Sequence, residues 1–137
     1  MISPSELRLG NCVMVNGSLQ KVSNIASTSV FTKDADSNGE PVAEHRMQEI
    51  EPVPLSDELL KQCGFVYHNY FKFWQLIHTG GHQSEMDVDN DYYVIDFMRK
   101  PILSRLTSLH QLQNVYFILK GKELTLTMPK ESSMQLQ

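Results

Sequence analysis

Cysteine is scarce in this chain: there are two, Cys12 and Cys63, and they lie far apart. That is too little for a disulfide framework, so a reducing, cytoplasmic setting is expected. A basic excess is also missing. Twelve Lys+Arg against sixteen Asp+Glu leave a net charge of −4, which argues against a general nucleic-acid binder. Apolar runs are only a few residues long, far short of the ~20 that span a bilayer. The opening residues Met1 to Glu6 have no basic start leading into an apolar stretch, so no secretory signal is expected. Several motifs are absent as well. There is no G-x-S-x-G elbow, no Walker sequence and no G-x-G-x-x-G, which lowers the expectation of an enzyme without removing it.

What is present suits one folded domain. The 137 residues are 41% hydrophobic and 20% charged, enough apolar material for a core in a chain of ordinary charge. The first third reads as β-rich. Cys12 to Val15 is a short apolar run followed by Asn16-Gly17, the strongest two-residue hairpin signal. Leu19, Val22 and Ile25 are the expected inward positions of a second strand, and Ser29 to Thr32 reads as a third. A polar stretch from Lys33 to Pro41 reads as a loop. Val42 to Val53 holds one or two more strands.

A short helix follows. Ser56 is its N-cap, Asp57 and Glu58 complement its dipole, Leu55 and Leu60 form a staple, and Gly64 ends it. From Phe65 to Phe97 lie nine of the twelve aromatic residues. Tyr70 to His78 reads as a strand, Gly80-Gly81 as a turn, and Tyr92 to Phe97 and Ile102 to Thr107 as further strands. A helix is predicted from Leu109 to Leu119, opened by a Ser108/Gln111 capping box and stopped at Gly121. Leu109, Leu112, Val115, Tyr116 and Leu119 form its apolar face. Glu123 to Met128 alternates as a final strand, and residues 129–137 read as a mobile tail.

Three constellations invite chemistry. His78 and His82 flank a tight turn, with Cys63 a third candidate zinc ligand, but ligand number and spacing both fall short. Asp87 to Asp91 resembles the start of a calcium loop. Tyr92 and Met98 then stand where an EF-hand needs Gly and Glu. Cys12 and Cys63 read as small buried hydrophobes rather than nucleophiles.

Two patterns carry more information. From Glu85 to Asp96 there are five acids and no base, and from Arg99 to Lys122 five bases and no acid. The blocks either neutralise each other across neighbouring strands or leave a local anion-binding face built on Arg99, Lys100 and Arg105. Between Leu106 and Leu119 there is no charge at all. His110, Gln113 and Asn114 share one face of that helix. Either the helix is mostly buried and its amides bond to neighbouring backbone, or this face meets another protein.

Three blocks carry a family resemblance: Glu6-Leu7-Arg8-Leu9-Gly10-Asn11-Cys12-Val13; Glu51 to Ser56 with Leu59, Leu60, Gly64 and Phe65; and His110 to Phe117 with Leu119, Gly121, Glu123 and Leu124. In this order they resemble small uncharacterised proteins of Bacteroidetes gut bacteria and their phages. The resemblance implies a phage or mobile-element setting. It implies no activity and no catalytic residues.

The expected fold is α+β in a single domain over residues 1–128. Residues 1–54 form a small SH3-like barrel or bent antiparallel sheet. Residues 55–128 supply the short helix, a second antiparallel sheet, an amphipathic helix and a last strand. The expected function is that of a non-enzymatic accessory protein that binds a protein partner or itself, with neither nucleic acid nor membrane as partner and no cofactor or metal. Trp74, Tyr92, Tyr93, His110, Gln113 and Asn114 are the contact candidates. The alternatives are a binder of a nucleotide or other anionic small molecule, through Arg99, Lys100 and Arg105, and a metal-dependent hydrolase.

Overall fold

Asn16 and Gly17 turn the chain as their chemistry dictates, both with positive φ, 52° and 78°. In a computed structural model of the chain, residues 2–35, 42–77 and 84–126 are described. By contacts the chain divides into two compact units. One runs to Pro54 and includes Ser108–Ile118; the other comprises Leu55–Thr107 and the described residues from Leu119 onward.

The first unit is built on five antiparallel strands: β1 Cys12–Val15, β2 Ser18–Ile25, β3 Ser29–Asp34, β4 Ala43–Arg46 and β5 Ile50–Glu51, in the order β4-β3-β2-β1-β5. The two-residue hairpin sets Val15 opposite Ser18. A bulge between Val22 and Asn24 explains why Val22 and Ile25, three apart, serve one core, since the extra residue restores the side of the pleat. Leu19 differs from expectation. It pairs with Met14 on the opposite side from Val13 and Val15, because side chains alternate along a strand. Ile2, Leu7, Val13, Val15, Val22, Val30, Met47 and Ile50 make the core cluster. One 3₁₀ turn, Met47–Glu49, joins the two edge strands β4 and β5, so the sheet curls into a half-barrel. Among the described residues no strand pairing closes β4 on β5, so the SH3-like closed barrel is not formed there.

Helix α2, Leu109–Lys120, enters the first unit through a bridge between Pro54 and Ser108 and a hydrogen bond from Leu109 N to Val53 O at 2.8 Å. Its buried residues are Leu109, His110, Leu112, Gln113 and Tyr116. The buried stripe is therefore turned toward the polar side relative to the apolar face read from sequence, leaving Val115 half-buried and Leu119 exposed.

The second unit opens with α1, Asp57–Gln62. Ser56 Oγ accepts from Leu59 N, and Gly64 ends the helix at φ +98°. Four antiparallel strands follow in sequence order: β6 Val66–His68, β7 Phe73–Ile77, β8 Ser84–Asp89 and β9 Val94–Ile95. Register places Tyr67, Trp74, Leu76, Met86, Val88 and Val94 on one side; all but the half-buried Tyr67 are buried, as are Leu60 and Phe65. Strand β7 starts later than predicted because Tyr70 to Lys72 make a turn, with Lys72 at φ +62°. Strand β9 is short because Asp96 begins another turn. Two expected strands are corrected. Residues 102–107 have no ladder, although Ile102 N reaches Val94 O, and residues 123–126 are irregular. Gly80-Gly81, the end of the 33–41 loop, the last residues of the predicted final strand and the tail lie outside the described residues. Among the described residues, no helix is long and apolar enough to cross a membrane.

Candidate functional site

The uncharged face of α2 is spent inside the first unit. Gln113 Oε1 accepts from Cys12 N at 2.8 Å and from Asn11 Nδ2 at 3.5 Å, while its Nε2 donates to Gly10 O at 3.4 Å. Asn114 Oδ1 accepts from Arg8 and from Asn11 Nδ2, and its Nδ2 donates to Glu6 O at 2.7 Å. Arg8 also stacks over Phe117, 4.2 Å from the ring centroid. His110 is 1% exposed and Gln113 4%, so neither is available to a partner. Two carboxamides thus satisfy loop groups before and within β1 that the sheet ladder leaves unpaired. This is the buried reading of the helix.

The same place holds a serine, a histidine and a carboxylate in line. Ser108 Oγ lies 3.1 Å from His110 Nδ1, and His110 Nε2 lies 3.2 Å from Glu6 Oε1. A nucleophile must meet substrate, and Ser108 is 2% exposed; the trio ties the N-terminal segment to α2. The hydrogen bond from Ser3 N holds the Glu6 carboxyl below its ordinary value, and His110 adds to the effect. A carboxyl lowered on folding stabilises the fold above its unfolded value and loses that contribution as pH falls through the folded one. Stability is therefore expected to drop below about pH 4, and Glu6→Gln to remove part of that dependence. Urea midpoints from pH 6 to 3 check this; parallel curves for both proteins would refute it.

The acidic segment is committed to its own turn. Asp89 Oδ1 accepts from Asp91 N and Tyr93 N at 2.9 and 3.0 Å, and Asp87 accepts from Ser84 Oγ. Among the described residues there is no group of three or more His, Cys, Asp or Glu placed to hold a metal. His78 and His82 lie outside them. Both cysteines are buried, and burial pushes the Cys12 thiol up, the wrong direction for a thiolate nucleophile. Lys122 Nζ meets Glu85 at 2.7 Å, so the acidic and basic blocks neutralise each other at one point.

Trp74 is buried and forms the floor of an open cleft of about 460 Å³ in the second unit. Asp57 and Lys61 of α1, Tyr67 and the turn residues Asn69 and Asn90 complete its lining. The Tyr67 and Trp74 rings stand 5.0 Å apart, tilted by 57°. Tyr92 sits at φ +69° and donates its hydroxyl to Asp57 Oδ1 at 2.9 Å. Burial, then this bond, raises the Tyr92 hydroxyl above its ordinary range, so it stays protonated and fixes the carboxylate. Tyr93 is half-buried, its backbone closing the Asp89 turn.

The three basic candidates divide between two places: Arg99 and Lys100 share one loop, and Arg105 lies apart from it. Arg105 Nε donates to Asp91 O, at the end of the turn carrying Asn90. Arg99 Nη1 donates to Phe71 O at 2.9 Å, with its guanidinium 4.5 Å from the Phe71 centroid and 5.2 Å from that of Phe73. Arg99 and Lys100 belong to a tight loop that Asp96 organises. Its carboxylate accepts from Met98 N and Lys100 N at 2.8 and 3.0 Å, and Arg99 N returns to Asp96 O. The loop holds Phe97 out, 90% exposed, with Met98 beside it. Tyr70 and Phe71, in edge contact at 4.8 Å, are exposed on the turn that Arg99 grips.

Tyr70, Phe71, Phe97 and Met98 were not among the residues expected to make contacts. For Phe97 and Met98 the signal was an apolar pair set between Asp96 and Arg99-Lys100-Pro101, where turn chemistry rather than a strand applies; Tyr70 and Phe71 carried no comparable local signal. Asp57, Lys61, Asn69 and Asn90 come from three separate elements, so no local pattern links them. No protein-family model matches the sequence, and neither the curated proteins nor the solved structures contain a match.

Proposed function

We propose that the protein is a non-catalytic binding module, an accessory protein of phage or mobile-element origin that docks on a protein partner. The contact surface of this reading is the pair of turns carrying Tyr70, Phe71, Phe97 and Met98 around Arg99. One observation carries it: a hydrogen-bonded loop spends both Asp96 contacts to hold Phe97 in water. Leaving a Phe or Met side chain exposed forgoes about 1.5–3 kcal/mol of burial, which association would recover. Aromatic and Arg side chains are the usual anchors of interfaces, and a pre-ordered loop lowers the ordering cost. Arg99 and Lys100 would sit at the rim, favouring an acidic partner surface in an otherwise acidic protein.

The test places a photo-crosslinking benzoyl-phenylalanine at Phe97 and, for comparison, at Lys33 in the other unit. Irradiation in the host should give a discrete adduct from position 97 alone, lost when Met98→Ser and Phe71→Ser are added. Light scattering on the purified chain identifies self-association as a special case, through an adduct of twice the chain mass. A monomeric chain without a discrete adduct, or equal adducts from both positions, would sink the reading.

A further inference from the structure

We propose that the Trp74 cleft is a second binding site, one that takes the ring of a neutral saccharide. The inference is independent of the docking surface, since the cleft is lined by Asp57, Lys61, Tyr67, Asn69, Trp74 and Asn90 and by none of the exposed turn aromatics. Charge selects the ligand class. Lys61 in the lining would repel an ammonium ligand. Asp57 in the wall and Glu58, 3.9 Å from Lys61, would repel a phosphate or carboxylate. The two signs cancel, which suits an uncharged molecule. A purely apolar ligand would strip water from two carboxamides, a carboxylate and an ammonium without replacing their hydrogen bonds.

A neutral pyranose meets both demands. Its C–H face lies on an aromatic ring, here the half-buried Tyr67 beside Trp74, and its hydroxyls both donate and accept. Asn69 and Asn90 each offer a donor pair and an acceptor, from turns on two different hairpins. Asp57 is held by Tyr92, with further acceptor capacity on its carboxylate. The backbone cost of Tyr92 at positive φ is of the kind retained where a side chain must be aimed. The tilted Tyr67–Trp74 pair provides no parallel walls to sandwich a flat base. At about 460 Å³ the cleft falls within the size range of small-molecule sites.

Trp74 is the chain's one tryptophan, so its emission reports the cleft directly. The full chain is titrated with the methyl glycosides of glucose, galactose, mannose and N-acetylglucosamine, and in parallel with AMP and L-phenylalanine. At least one glycoside should give a saturable change with a dissociation constant of about 1–10 mM. The double substitution Asn69→Ala and Asn90→Ala, on exposed turns, should weaken it at least tenfold while leaving the thermal midpoint in place. The proposal is overturned if no glycoside saturates, if AMP or phenylalanine binds more tightly, or if the double variant binds as well as the parent.

Discussion

Gln113→Ala is expected to destabilise the protein by about 2–4 kcal/mol, which lowers the melting temperature by on the order of 10 °C. The side chain is buried, and its oxygen is the acceptor for the amide of Cys12 at 2.8 Å. Truncation leaves that amide without its acceptor and opens a gap beside β1. A buried donor stripped of its partner keeps its full desolvation cost, so the loss exceeds the modest net worth of one hydrogen bond. Gln113→Met separates the two terms. It preserves volume and removes only the polar contacts, and should still cost about 1–3 kcal/mol. Urea unfolding followed by circular dichroism gives the totals, and hydrogen exchange at the Cys12 amide gives the local effect. A methionine variant within about 0.5 kcal/mol of the parent would show that the amide does not depend on Gln113.

Leu60→Ala should cost as much in the second unit, about 2–5 kcal/mol. Helix α1 has six residues, too few to persist through its own hydrogen bonds. Its stability comes from Leu60, which is 0% exposed. The carbonyl of Leu60 also accepts from Phe65 N and Cys63 N at the helix end. Loss of the side chain loosens both the helix and its exit. Since the helix forms one wall of the Trp74 cleft, Trp74 emission should shift to the red at lower urea than in the parent. Glu58→Ala, which removes a long, exposed pair with Lys61 and a first-turn charge, should cost less, at most about 1 kcal/mol. Equal midpoints for both variants would remove Leu60 from its role as anchor.

What the sequence determined by itself is local. The Asn16-Gly17 hairpin, the Ser56 cap, the Gly64 stop and the span of α2 follow from backbone preferences within a few residues, and all four stand in the structure. The α+β class follows from the same signals, repeated along the chain. The strand expected at residues 102–107 failed because apolar content alone does not supply a ladder partner: Pro101 makes one bridge to Ile95, and the chain leaves the sheet.

Tertiary structure decided the rest. Whether His110, Gln113 and Asn114 face a partner or the protein's own backbone cannot be read from helical spacing, because both uses need the same uncharged polar groups. The answer lies about a hundred residues away, in the Cys12 amide, the Gly10 carbonyl and the Asn11 side chain. Likewise the aromatic third of the chain divides by strand parity. Trp74 turns inward to floor a cleft, while Phe73 lies under Arg99 on the other side of the sheet. The low cysteine count and the acidic average described the chain as a whole; only folding assigned each polar group either to its neighbours or to solvent.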